Sequence, residues 1–158
     1  MLPFTTEQFL ALFGDYNLAV WPAQAAAWPL GLLAAVLAAR PAGRSERVVC
    51  AILALFWLWM GVAYHILFFA RINPLAPLFG AGFVLQGALF ARYALRHDGI
   101  GFRFDRNIAG VAGLAFVAYG LVVYHLLAPL FGHAWPRMPV FGVAPCPTTI
   151  FTFGILLM

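Results

Sequence analysis

Four nearly unbroken apolar stretches divide this chain, with short polar segments between them. They cover about 18–39 (LAVWPAQAAAWPLGLLAAVLAA), 48–70 (VVCAILALFWLWMGVAYHILFFA), 74–91 (PLAPLFGAGFVLQGALFA) and 108–131 (IAGVAGLAFVAYGLVVYHLLAPLF). Each approaches or exceeds the roughly 20 residues that a helix needs to cross about 30 Å of hydrocarbon. They are apolar all round and read as spanning helices, because such a helix satisfies its own backbone hydrogen bonds. Pro22, Pro29 and Pro77 predict kinks or late helix starts. Arg92 is placed to snorkel at the end of the third stretch.

Both ends of the chain break this pattern. Near the start, Thr5 and Gln8 stand at capping-box spacing, with Phe9, Leu10, Leu12 and Phe13 following and Gly14 as a stop. This predicts a short helix over 6–13 lying on the outer interface, with Asp15-Tyr16-Asn17 where it meets the first span. At the other end, residues 148–158 would rise only about 16 Å as a helix. Two readings stay open: a fifth span cut short, or a half-helix buried against the others. The close on ILLM, without a polar stop, favours the first. The expected fold is all-α: one polytopic transmembrane bundle over 1–158, with four full spans and a partial fifth.

Composition agrees. The chain is 65% hydrophobic and 9% charged, against about 25% charged in average soluble domains. Aromatics make up 16%, as suits a chain whose solvent is lipid and its interface. The net charge of +4 lies in short loops and forms no basic stripe, so nucleic acid is not expected as a partner. The first basic residue is Arg40, too late for a removable signal peptide, so the first span would also serve for targeting. No lipidation motif is visible.

The arginines then set an orientation. Segments 40–47 and 91–106 carry three and four, whereas 71–73 and 132–147 carry one each, Arg71 and Arg137. The positive-inside rule puts the first two in the cytoplasm and the N-terminus outside, in a bacterial inner membrane. Sorted this way, the polar residues are lopsided. Gln24, His65, His125, His133 and Cys146 gather at the outer mouth, near Asp15. The cytoplasmic side holds arginines, acids, His97 and Cys50.

Cys146 is the sharpest feature. With Pro147 at the first helical position it would be the N-cap, its sulfur near the free amides of Thr148 and Thr149 and stabilised as thiolate. Such a sulfur binds a soft metal or attacks a disulfide; the competing account is a small packing residue in a stiff helix entry. A Cys50–Cys146 bridge is excluded by the membrane between them. His65 and His125 lie at similar depth, which suits a Cys/His metal site with Cys146 and His133, or less well axial haem ligation. The alternative is that each imidazole bonds a backbone carbonyl or a nearby Tyr. WLWMG (57–61) offers a Met-aromatic lining able to hold Cu(I), though packing explains it better. Gln86, mid-span, is expected to make an interhelical hydrogen bond. LAPLFG occurs at 75–80 and 127–132, each after a Tyr-His pair, a weak sign of internal duplication.

With FTTEQFLALFGDYNLAVWPAQ (4–24), FWLWMGVAYHILFFARINPLAPLFG (56–80) and MPVFGVAPCPTTIFTFG (138–154) in view, the chain resembles a bacterial family of multi-pass membrane proteins of unassigned function. The Pro-Cys-Pro-Thr-Thr-Ile-Phe-Thr-Phe-Gly run is its most specific part. The resemblance implies a similar architecture in longer chains and supplies no catalytic residues. The leading functional expectation is permease-like handling of a small solute or metal ion at the outer cluster. The alternatives are an accessory subunit of a membrane complex and, trailing, a haem- or thiol-dependent redox protein. Expected partners are the bilayer, with a homo-oligomer or membrane partner left open.

Overall fold

The computed structural model describes residues 3–96 and 100–158; His97 lies outside them. Among the described residues six helices form: α1 (Thr6–Ala19), α2 (Ala23–Ala39), α3 (Ser45–Arg71), α4 (Ala76–Leu95), α5 (Ile108–Phe131) and α6 (Pro145–Leu156). No strand occurs among the described residues. Three helices, α3, α4 and α5, are long and apolar enough to cross a membrane. The pair α1 and α2 makes a fourth if taken together, although it bends by 88°. The twelve-residue α6 is shorter.

The first expected span needs correction. The Thr5–Gln8 capping box forms, but α1 does not stop at Gly14 and runs on to Ala19. Gly14 is buried and its Cβ position would meet only Arg137 Cγ at 3.4 Å, so it stays in the helix. The break falls instead at Val20–Pro22, where proline has no N–H to continue the helical ladder. The span proper therefore starts at Ala23 rather than 18. Helix α1 lies nearly perpendicular to it across the end of α3. There Phe13 stacks on Tyr64 at 5.5 Å and Tyr16 meets Phe68 edge-on at 5.1 Å.

Glycines set the closest helix contacts. A Cβ on Gly61 of α3 would sit 2.9 Å from Gly80 O of α4, and one on Gly154 of α6 would sit 2.6 Å from Gly113 O of α5. Small residues at these crossings let backbones touch, as is common where apolar helices pack without help from water. Helices α3 and α5 each widen into a π stretch, at Met60–Phe68 and Tyr119–Val123. Such bonds reach five residues back instead of four. The Tyr-His pairs lie within the first stretch and just after the second.

The arginine-rich segments share one end of the bundle: Arg47 Nε donates to Arg96 O at 3.3 Å, and Arg103 N donates to the terminal Met158 O at 2.7 Å. Helix α1 and the segment after α5 occupy the other end. The two LAPLFG copies differ in role. One opens α4, and the other winds down the last turn of α5 to Gly132. Element placement therefore lends the duplication no support.

Candidate functional site

Beyond α5 the chain does not stay on the rim. It turns back into the bundle, and all seven residues from Met138 to Ala144 are buried before α6 begins. This stretch is not helical, so its backbone groups need partners from elsewhere. Side chains supply most of them. Asn17 Nδ2 donates to Pro136 O at 2.6 Å and Met138 O at 2.7 Å. The Phe141 N–H donates to His125 Nε2 at 2.9 Å. The Gly142 N–H donates to Thr148 Oγ1 at 2.8 Å, and Thr148 in turn donates to Ala144 O at 2.8 Å. The Tyr16 hydroxyl donates to Val143 O at 2.7 Å and accepts from Trp59 Nε1 at 2.9 Å. The Ala144 N–H bonds Val140 O at 2.9 Å within the stretch itself.

Packing pins the same segment. Phe141 is fully buried, with ring centroids 5.0 Å from Phe151, 5.6 Å from Phe56 and 5.7 Å from Trp28. Gly142 follows in a left-handed conformation (φ +79°), and its Cβ position would collide with Ala27. Only glycine fits on both counts.

The outer cluster of the sequence reading is thus one end of the bundle in part, but its members do other work. Gln24 is buried and donates to Asn17 O and Oδ1, which orients the Asn17 amide toward the segment. His65 holds Met60 O through Nδ1 at 2.9 Å, with its ring 4.5 Å from that of Phe83. His125 takes the Phe141 N–H, which in the neutral ring leaves its proton on Nδ1. That buried Nδ1 finds no partner among the described residues. His133 sits in the turn after α5, its N–H on Ala128 O, and Asp15 is exposed. Among the described residues no three His, Cys, Asp or Glu side chains are placed to hold a metal ion. Joint ligation by Cys146, His65, His125 and His133 therefore finds no support: two of the three imidazoles are committed to backbone groups.

Cys146 is not the N-cap. Pro145 already has the fixed φ of a first helical residue, so α6 starts there, Ala144 caps it in an extended conformation, and Cys146 falls one position inside. The residue is exposed, and its thiol lies beside the Tyr124 side chain. Cys50 is free as well, and buried. Trp57 and Trp59 spend their indole N–H groups on Thr152 and Tyr16, and Met60 is fully buried, as packing requires. Gln86 does not make the expected bond: its side chain has no hydrogen-bond partner among the described residues.

The residues that sequence reasoning passed over are Tyr16, Asn17, Phe141 and Thr148. Their signal was available only in combination. A short polar run at a span entry and a Thr beside Pro-Cys-Pro each look ordinary until the segment between them is known to be buried.

The cavities near these elements are apolar. One of about 460 Å³ lies between α5 and α6, lined by Ala115, Phe116, Tyr119, Ile150 and Phe153. A smaller one of about 130 Å³ lies beside the segment, bordered by Ala27, Trp59 and Gly142 among others. Residues 6–158 match the protein family described as "Family of unknown function (DUF6064)". No curated protein and no solved structure matches the chain.

Proposed function

The chain belongs to that family of unknown function, and we propose that it is a helical inner-membrane protein serving as a non-catalytic accessory subunit of a larger membrane assembly. In this reading α2, α3, α4 and α5 span the bilayer and α1 lies on the outer interface. The arginine-rich end faces the cytoplasm, following the seven-to-two distribution of Arg between the two sets of loops. Exposed Trp21 and Trp135 then stand at the outer headgroup level, where such rings are at home.

One observation carries the choice of role. All seven buried polar side chains named at the core (Asn17, Gln24, Ser45, His65, Asn73, Thr148, Thr152) are hydrogen-bonded within this chain. A solute path needs buried polar groups that are free to exchange partners. Here all seven are committed, and three of them (Asn17, Gln24 through Asn17, and Thr148) hold a non-helical segment at membrane depth, where irregular backbone is tolerated only if protein satisfies it.

A second reading keeps one favourable observation. The partnerless Nδ1 of His125, one residue from the Tyr124–Cys146 pair, is where a small solute or ion would find a free donor.

Cysteines placed at Ala42 and Ala134 in a Cys-free variant test the orientation with an impermeant maleimide. Labelling of intact cells at 134 alone is expected, and the reverse pattern overturns it. Native electrophoresis of gently solubilised membranes tests the role. Migration as a free chain, together with solute flux in proteoliposomes that Cys146→Ser abolishes, would replace the accessory role with the second reading.

A further inference from the structure

Helix α4 touches the rest of the fold along one stripe only, the one containing Gly80, Gly87 and Phe90. Along a neighbouring stripe run Phe79, Gly82, Gln86, Leu89 and Tyr93, spaced by three, four, three and four residues. That is the a/d repeat of a two-helix seam sustained over about 21 Å. The described residues leave it partly open. Phe79, Leu89 and Tyr93 are 48%, 39% and 38% exposed, and a Cβ on Gly82 would meet nothing within 4 Å.

Gln86 stands at the centre of this stripe. It is half-buried, yet its amide makes no hydrogen bond among the described residues. On a helix that spans the bilayer, an unpaired amide at mid-depth costs several kcal/mol, about 4 or more by transfer to hydrocarbon. A primary amide is both donor and acceptor, so it is complementary to itself. Two copies of one membrane protein share a topology, so their equivalent helices run parallel and meet about a two-fold axis normal to the bilayer. Each residue on that axis then faces its own counterpart. Gln86 is thereby paired by Gln86, and Gly82 one turn away lets the backbones approach.

We propose that this stripe of α4 is the seam of a parallel homodimer, with the two Gln86 amides bonded across it. The partner within the assembly proposed above is then a second copy of this chain, and the seam rests on the reading that α4 spans the membrane. The test is oxidative crosslinking in native membranes, in a background with Cys50→Ala and Cys146→Ser. Leu89→Cys, on the seam, is expected to give a disulfide-linked species of twice the chain mass. Ala88→Cys, exposed but on another face, is expected to give at least tenfold less. Adding Gln86→Leu to Leu89→Cys should weaken the dimer about threefold to fifteenfold. Equal crosslinking at 88 and 89, no crosslinking at either, or an adduct of some other mass each overturns the dimer. Maleimide labelling at positions 42 and 134 of the same variants reports the topology separately. Correct topology without crosslinks sinks the seam alone, while a wrong topology sinks the membrane reading on which it rests.

Discussion

Replacing Thr148 by Val would separate hydrogen bonding from packing in the buried segment. The two side chains have nearly the same shape, and Thr148 is fully buried, so no cavity opens. What goes is the hydroxyl. The Gly142 N–H, 2.8 Å from Oγ1, loses its acceptor in a place water does not reach. An orphaned buried donor costs about 1–3 kcal/mol. Loss of the 2.8 Å bond from Oγ1 to Ala144 O adds roughly 0.5–1.5 kcal/mol. Against this, the new methyl in apolar surroundings returns about 0.8 kcal/mol. The expected net loss is about 2 kcal/mol, roughly a thirtyfold fall in the ratio of folded to unfolded protein. Thr148→Ser keeps the hydroxyl and removes a methyl, so it should cost only about 1 kcal/mol. Reversible unfolding in mixed micelles, driven by rising SDS and followed by tryptophan fluorescence, gives the ranking: wild type, then Ser, then Val. Alkylation of the buried Cys50 provides a second probe of the same transition. Val within about 0.5 kcal/mol of wild type, with Ser below Val, would refute the claim that the hydroxyl holds the segment in place.

His125→Leu removes the acceptor of the Phe141 N–H and should destabilise by about 1–3 kcal/mol in the same assay. Combined with Thr148→Val its cost should depart from additivity by about 0.5 kcal/mol or more, because both hold one segment. Gly154→Ala must push apart α5 and α6, since the new methyl lands on backbone atoms of Gly113 and Val117. A loss of about 1–3 kcal/mol is expected, whereas Gly101→Ala, whose new methyl would meet only Glu46 Oε1 at 3.9 Å, should lie within about 0.5 kcal/mol of wild type. Glu7→Gln breaks the pair with Arg137, whose side chains are 74% and 46% exposed. Its effect on unfolding should stay below about 1 kcal/mol and fade with salt.

Helix count and rough placement were legible because a spanning helix writes itself as a long apolar run. The shared end of the two arginine-rich segments was legible from alternation alone, and the structure joins them through Arg47 and Arg96. What stayed hidden depends on tertiary contact. Gly14 looks like a stop in isolation, but Arg137 packs above it and α1 continues. His65 and His125 look like ligands because their partners are backbone atoms of Met60 and Phe141, and a backbone partner leaves no mark on sequence. Likewise no spacing rule reveals that 138–144 is buried, since an apolar loop and an apolar plug have the same composition.

The most specific run in the chain, PVFGVAPCPTTIFTFG, now has a physical reason at six of its positions. Phe141 fills the centre of the aromatic core, Gly142 adopts a backbone that the Cβ of another residue would block, and Pro145 starts α6. Thr148 and Thr152 accept hydrogen bonds from the Gly142 N–H and from Trp57 Nε1, and Gly154 admits α5. A run so demanding needs no catalyst to account for it; a buried non-helical segment leading into a short apolar helix imposes the demands by itself. Cys146 is the exception. It is exposed, lies beside the Tyr124 side chain and fills no core position. A fold built only to hold itself together would accept serine or alanine there. Cys146→Ala with unchanged SDS unfolding and unchanged native mobility is therefore the expected outcome if the chain acts through its surfaces. A loss of assembly with folding intact would place Cys146 in the contact with a neighbour and move the centre of function from α4 to the mouth of α6.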